Sequence, residues 1–160
     1  MDLVRICLVG CGRAGMVHGR NFANLIPGTQ VVAVVDEVEE SRRVAAEELR
    51  AKGHFATLED ALNGAEFDAV VIATPTFTHH HLVTTAARAG KHVLCEKPLA
   101  ITVEEALDMI RAAREAGVVF QVGFMRRFDE EFRALKELLD EGAIGEPMII
   151  RSITRGPGLP

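Results

Sequence analysis

The stretch that most constrains this chain is Val4-Arg5-Ile6-Cys7-Leu8-Val9-Gly10-Cys11-Gly12-Arg13-Ala14-Gly15. An apolar run of strand character meets Gly-x-Gly-x-x-Gly, and helical patterning follows from Arg13 to Asn24. That order suits a phosphate-binding turn. Gly10 permits the tight exit from the strand, Gly12 lets the backbone approach a pyrophosphate, and Gly15 lets the new helix pack close to the sheet. The helix N-terminus then offers free N–H groups and the positive end of its dipole. Glycine-rich turns are common, so the motif alone is weak. It is strengthened by a second apolar run, Val31 to Val35, that ends in Asp36, 21 residues after Gly15. A carboxylate there is placed to accept hydrogen bonds from the ribose hydroxyls of a dinucleotide. The alternative is an ordinary strand-to-helix turn with a solvated aspartate.

The rest of the chain repeats strand then helix. Strands are expected at Arg5–Val9, Val31–Asp36, His54–Ala56, Ala69–Ala73, His92–Cys95 and Val118–Val122. The intervening helices are expected at Arg13–Asn24 with Met16, Phe22 and Leu25 inward, Glu39–Lys52, Leu58–Asn63 capped by Thr57, His79–Ala89, and from a Thr102-x-x-Glu105 capping box to Ala116. The apolar strands lack alternation, as strands buried on both faces do. The pattern predicts an α/β, doubly wound parallel sheet with helices on both faces. Ligands of such sheets bind beyond the carboxyl ends of the strands, here Gly10, Asp36, Thr74, Glu96-Lys97 and Gly123. After Gly123 the rhythm changes. A helix is expected over Glu130–Asp140, and Met148–Thr154 reads as a strand without a partner. The division is therefore 1–123 as a dinucleotide-binding domain and 124–160 as a linker helix and first strand of a second, truncated α/β domain.

Composition removes several classes. The net charge is −5 with both signs interspersed, which argues against a nucleic-acid partner. No apolar run reaches the roughly 20 residues of a membrane span, and the opening Met1-Asp2-Leu3-Val4-Arg5 lacks the basic start and cleavage site of a secretory signal. The three cysteines, Cys7, Cys11 and Cys95, form no Cys-x-x-Cys pair. They read as small residues, buried in the strands and fitted into the turn, in a reduced, cytoplasmic protein without a bound metal.

Three groups outside the glycine turn could carry chemistry. Lys97 stands at the end of a strand between Glu96 and Pro98, where a lysine can hold a substrate hydroxyl and relay its proton. The alternative is a surface Lys–Glu pair. His79-His80-His81 invites a metal, but adjacent residues on a helix diverge. They read as a helix start near the crevice, with His79 bordering the cofactor. Arg126 and Arg127 could clamp a polyol or carboxylate, or simply flank the acidic helix start.

Taken together, Val-Gly-Cys-Gly-Arg-Ala-Gly-Met-Val-His at 9–18, Val-Val-Asp at 34–36, Ala-Thr-Pro-Thr-x-x-His at 73–79 and Ala-Gly-Lys-His-Val-Leu-Cys-Glu-Lys-Pro-Leu-Ala at 89–100 resemble the GFO/IDH/MocA oxidoreductases. Gln-Val-Gly-Phe-Met-Arg-Arg-Phe-Asp at 121–129 and Ile-Gly-Glu-Pro at 144–147 look most like the inositol 2-dehydrogenase branch. The resemblance implies a Rossmann domain that binds NAD or NADP, and a second domain that supplies much of a polyol or sugar site and the homo-oligomer interface; Asp36, followed by Glu37 and not by an arginine, makes NAD the expected cofactor over NADP. Cofactor contacts then fall on Gly10, Gly12, Arg13, Ala14, Gly15, Asp36, Thr74, Pro75, His79, Glu96 and Lys97. Lys97 is the catalytic, substrate-contacting lysine, and Arg127 a second substrate contact. The branch carries an Asp-x-x-x-His acid/base segment in its second domain that these 160 residues do not contain, so by themselves they are expected to bind NAD without turnover. The function implied is the NAD-binding part of a dehydrogenase moving a hydride between an inositol-like secondary alcohol and NAD. The alternative is a non-catalytic NAD(H) sensor or accessory module.

Overall fold

Six strands build one parallel sheet: β1 (Val4–Val9), β2 (Thr29–Val35), β3 (Gly53–Phe55), β4 (Ala69–Ile72), β5 (His92–Cys95) and β6 (Phe120–Val122). Their order across the sheet is β3-β2-β1-β4-β5-β6, and every neighbouring pair is parallel. The computed structural model describes residues 3–153. Five helices connect the strands: α1 (Arg13–Asn24), α2 (Glu39–Leu49), α3 (Leu58–Gly64), α4 (Thr76–Arg88) and α5 (Val103–Glu115).

Alternation along each strand divides the core. Cys7, Val9, Val35, Val70, Ile72 and Cys95 face a layer that includes Leu58 and Ala61 of α3, Val83 and Ala86 of α4 and Met109 of α5. Ile6, Leu8, Val34 and Val71 face Ala45, Ala46 and Leu49 of α2, with Met16 and Phe22 of α1 packed against them. Each fully buried aliphatic side chain contributes about 1.5–3 kcal/mol, so the doubly wound arrangement follows from strands apolar on both faces.

Two expectations change at α1 and α4. Leu25 was expected on the inner face of α1 but is 72% exposed, and the buried positions of that helix are Gly15 and Gly19. A Cβ on Gly19 would lie 2.6 Å from a methyl of Leu49 and 3.1 Å from one of Leu8, so glycine lets α1 sit close to both α2 and the sheet. Helix α4 begins at Thr76, three residues before the expected His79. Pro75, at φ −59°, occupies its N-cap, where the missing N–H costs nothing.

An ion pair ties the amino ends of β1 and β4. The Arg5 guanidinium donates to Asp68 Oδ1 at 2.8 Å and Oδ2 at 3.1 Å, and the Arg5 backbone N–H donates to Oδ2 at 2.8 Å. These hydrogen bonds hold the Asp68 carboxyl down to about 2. A carboxyl lowered in the folded state stabilises above its unfolded value, and the contribution is lost as pH falls through about 2. Both side chains are over a third exposed, so solvent screening keeps the contribution within about 1 kcal/mol. Asp68→Asn should lower the melting temperature near pH 6, and the gap to wild type should close as pH approaches 2. A gap that stays constant with pH would contradict this assignment.

The chain divides into two units after Gly123. In the second, Met125–Arg127 forms a single 3-10 turn, and α6 (Glu130–Asp140) begins at Asp129, whose carboxylate accepts the N–H groups of Glu131 and Phe132. Phe132, Leu135 and Leu138 share one face of α6 and are 43–53% exposed. The strand expected over Met148–Thr154 does not form over 148–153, and Thr154 lies outside the described residues. Met148, Ile149 and Ile150 are 81–93% exposed. Strand propensity needs a neighbouring ladder to act on, and none of the described residues pairs with this run.

Candidate functional site

The strand registers align one row of residues along the carboxyl edge of the sheet. Val9 pairs with Val35 and Ile72, Ile72 with Cys95, and Cys95 with Val122. One more rung follows: Gly10 N–H donates to Val35, Ala73 N–H to Val9, Glu96 N–H to Ile72 and Gly123 N–H to Cys95. Asp36, Gly10, Ala73, Glu96 and Gly123 therefore stand side by side. The direction in which successive strands are added to the sheet reverses between β1 and β4, the switch point where open α/β sheets bind ligands.

The three motif glycines serve different ends. Gly10 has φ +92°, and a Cβ there would sit 2.7 Å from the Ala73 carbonyl oxygen, so it makes the turn across the switch point. A Cβ on Gly15 would lie 1.8 Å from the carbonyl oxygen of Gly10. That contact is with the turn itself, nearer than the sheet packing first expected. Gly12 differs from both: its φ is −74° and a Cβ would meet nothing within 4 Å. The protein leaves that space empty, as a group approaching the backbone requires. Helix α1 has no side-chain cap and no acid in its first turn, so no carboxylate of that turn competes for the N–H groups at its start.

Asp36 closes one side. Its Oδ2 accepts the Cys11 N–H at 2.8 Å and its Oδ1 the Val38 N–H at 3.0 Å, which fixes the carboxylate against the turn and leaves further lone pairs for a ligand hydroxyl. Arg42 stands near, and its guanidinium donates to the carbonyls of Asp36 and Glu37 at 3.3 and 3.2 Å. Burial first, and the Asp36 charge second, push the Cys11 thiol up to about 12, so it is an unreactive filler under the turn.

A cavity of about 580 Å³ opens beside the turn. Its floor is Val9, Gly10, Gly12 and Ala73, with Asp36 and Glu37 on one wall, Thr74, Pro75, Phe77 and Thr78 on another, and Ala56–Glu59 at the far end. The Thr74 and Thr78 hydroxyls bond at 2.7 Å, and Thr78 also donates to the Pro75 carbonyl at 2.8 Å. The charged lining residues are the acids Asp36, Glu37 and Glu59, with His81 opposite Glu59 at 3.0 Å. Among the described residues, no lysine or arginine lines it.

The histidine triplet diverges. His80 bonds Asp108 at 2.8 Å, His81 bonds Glu59, and His79 is 1% exposed. The His79 ring nitrogens lie 2.9 Å from the Thr74 carbonyl oxygen and 3.0 and 3.3 Å from those of Pro98 and Leu99. The His79 ring is buried between the turn after β4 and the turn after β5, and it is not among the residues that line the cavity. Lys97, at the start of the turn after β5, is exposed, and its N–H donates to Glu96 Oε2 at 3.1 Å. The other oxygen of Glu96 is 2.7 Å from His18 Nε2, a partner that sequence reasoning missed because it lies 78 positions away. Arg127 belongs to the second unit. There Arg126 stacks over Phe132 at 4.9 Å, and Arg126, Arg127, Phe132, Arg133, Lys136 and Glu137 line a cavity of about 390 Å³.

Comparison with known proteins agrees with this geometry. Residues 4–124 match the GFO/IDH/MocA group, described as an oxidoreductase family with an NAD-binding Rossmann fold. The chain is 39% identical over 161 residues to inositol 2-dehydrogenase 1 of Mycolicibacterium vanbaalenii, covering 100% of this chain and 47% of that protein. It is 37% identical over 157 residues to scyllo-inositol 2-dehydrogenase (NAD(+)) of Bacillus subtilis, covering 98% and 46%. The crystal structure of scyllo-inositol dehydrogenase from Lactobacillus casei with bound NAD(H) and scyllo-inositol superposes with a TM-score of 0.86 at 36% identity, over 91% of this chain and 43% of that one. The chain thus spans just under half the length of the relatives it matches. The chain belongs to the GFO/IDH/MocA oxidoreductase family and carries its NAD-binding Rossmann fold.

Proposed function

We propose that this chain is the cofactor-binding half of a dehydrogenase that moves a hydride between NAD and a secondary alcohol of a cyclic polyol or sugar. The observation that carries the reading is the shared edge: Lys97 follows β5 on the same row of strand ends as Gly10 and Asp36. Gly12 and the first turn of α1 receive the pyrophosphate, Asp36 the adenosine ribose diol, and Thr74 and Pro75 the far wall of that ribose. The nicotinamide, when bound, accepts the hydride. Lys97 Nζ would donate a hydrogen bond to the substrate oxygen and stabilise the negative charge that develops there, while the hydroxyl proton passes to the acid/base histidine that the family resemblance implies in the second domain. Inositol dehydrogenases among the relatives support a polyol substrate. Residues 124–160 are the beginning of a second, substrate and oligomerisation domain in this reading, with Arg127 a substrate contact. The three buried, unpaired cysteines suit a reducing, cytoplasmic setting. No helix among the described residues is long and apolar enough to cross a membrane.

The test is turnover by the protein at its native cellular length. NADH formation is expected with myo-inositol or scyllo-inositol, and Lys97→Ala should lower kcat by about a hundred- to a thousand-fold, the usual worth of one donor to a developing oxyanion. NAD binding without turnover of any polyol or sugar would favour a sensor instead.

A further inference from the structure

His18 has no place in the cofactor reading, yet it reaches the turn that carries Lys97. It lies on the second turn of α1, the helix whose first turn faces the pyrophosphate position. Its Nε2 is 2.7 Å from Glu96 Oε1, while Oε2 of the same carboxylate accepts the Lys97 backbone N–H at 3.1 Å. A carboxylate only accepts, so Nε2 of His18 carries the hydrogen. One carboxylate thereby joins α1 to the first residue of the turn.

Two features separate this pair from a surface ion pair. The side chains are 24% and 21% exposed, where charge-assisted hydrogen bonds are not diluted by water as exposed ones are. The carboxylate also has a fitted seat. A Cβ on Gly123, at the end of β6, would lie 3.0 Å from Oε1 and 3.1 Å from Cδ of Glu96, so the missing side chain at that position leaves Glu96 its room. On the opposite side, His79 holds the carbonyls of Pro98 and Leu99. The turn is clamped between two helices.

We infer that His18 is a positioning residue: through Glu96 it locks the Lys97 turn to the pyrophosphate-facing helix, so that the nicotinamide end of the cofactor is held in register with the phosphate end. The inference rests on the NAD reading. Its signature is selective, because ADP-ribose shares the adenosine, pyrophosphate and second ribose of NAD but lacks the nicotinamide.

The experiment is calorimetric titration of the 160-residue chain with NAD and with ADP-ribose. His18→Leu removes the donor, and His18→Gln restores one in the side-chain amide. His18→Leu should weaken NAD about tenfold, the size of one lost charge-assisted hydrogen bond, and leave ADP-ribose within about twofold. His18→Gln should return NAD to within about threefold of wild type. Equal weakening of both ligands by His18→Leu would mean that the pair merely supports α1 and would overturn the inference. So would unchanged NAD affinity, or failure of His18→Gln to recover. A wild-type chain that binds neither ligand would overturn the cofactor reading and this inference with it.

Discussion

Gly12→Val should fold like the wild-type chain and lose NAD by about a hundredfold or more, the worth of two charge-assisted hydrogen bonds to the backbone. The two halves of that outcome come from different observations. Folding is spared because Gly12 has an ordinary negative φ and a Cβ there meets nothing within 4 Å. Binding should be lost because, in the proposed function, the pyrophosphate approaches the first turn of α1 through the same open space. Circular dichroism and a melting curve read the first half, calorimetry the second. Gly15→Ala is the contrasting case. Its Cβ would lie 1.8 Å from the Gly10 carbonyl oxygen, so that variant distorts the turn before any ligand arrives. A folded Gly12→Val chain with wild-type NAD affinity would place the phosphate site elsewhere.

The second large effect concerns the choice between NAD and NADP. Asp36 is fixed by two backbone N–H groups and cannot swing away cheaply. Glu37 and Glu59 line the same cavity, and no lysine or arginine among the described residues does. A 2′-phosphate would meet this acidic wall, and two unit charges about 4 Å apart near a protein surface repel by about 4 kcal/mol before salt screening. NAD should therefore bind about a hundredfold more tightly than NADP, and the preference should weaken as ionic strength rises. Asp36→Ala should bring the two within about tenfold, with Arg42 nearby to meet a phosphate. Tighter binding of NADP to the wild-type chain would reject this role for Asp36.

Much of this was legible in the sequence because local signals and the global fold agree. Helix α1 at Arg13–Asn24, strand β5 at His92–Cys95 and helix α6 at Glu130–Asp140 have their expected bounds, each marked by a glycine, proline or capping residue at an end. The sheet type followed from apolar strands alternating with helical patterns. What stayed hidden depended on contacts between distant positions. Nothing local in Val17-His18-Gly19 announces Glu96, 78 residues on. His79 reads as a polar residue at a crevice, but its ring is buried, with three carbonyl oxygens within 3.3 Å of its nitrogens. The start of α4 moved because a proline can serve as N-cap as well as breaker. Met148–Ile153 has strand composition without strand structure, since composition cannot supply a partner. Arg42 carries no local signal either: it stands six residues past Asp36, and only the winding of α2 folds it back onto the Asp36 carbonyl.

The measurement that tests the central claim most directly is amide hydrogen exchange with and without NAD. In the proposed function the cofactor lies on the carboxyl edge, at the switch point between β1 and β4. Saturating NAD should slow exchange at residues 11–15, at 36–38 and at 74–78, and leave the amino ends of the strands, including Arg5 and Asp68, unchanged. Protection confined to residues 124–153, or no NAD-dependent protection anywhere in the chain, would contradict it.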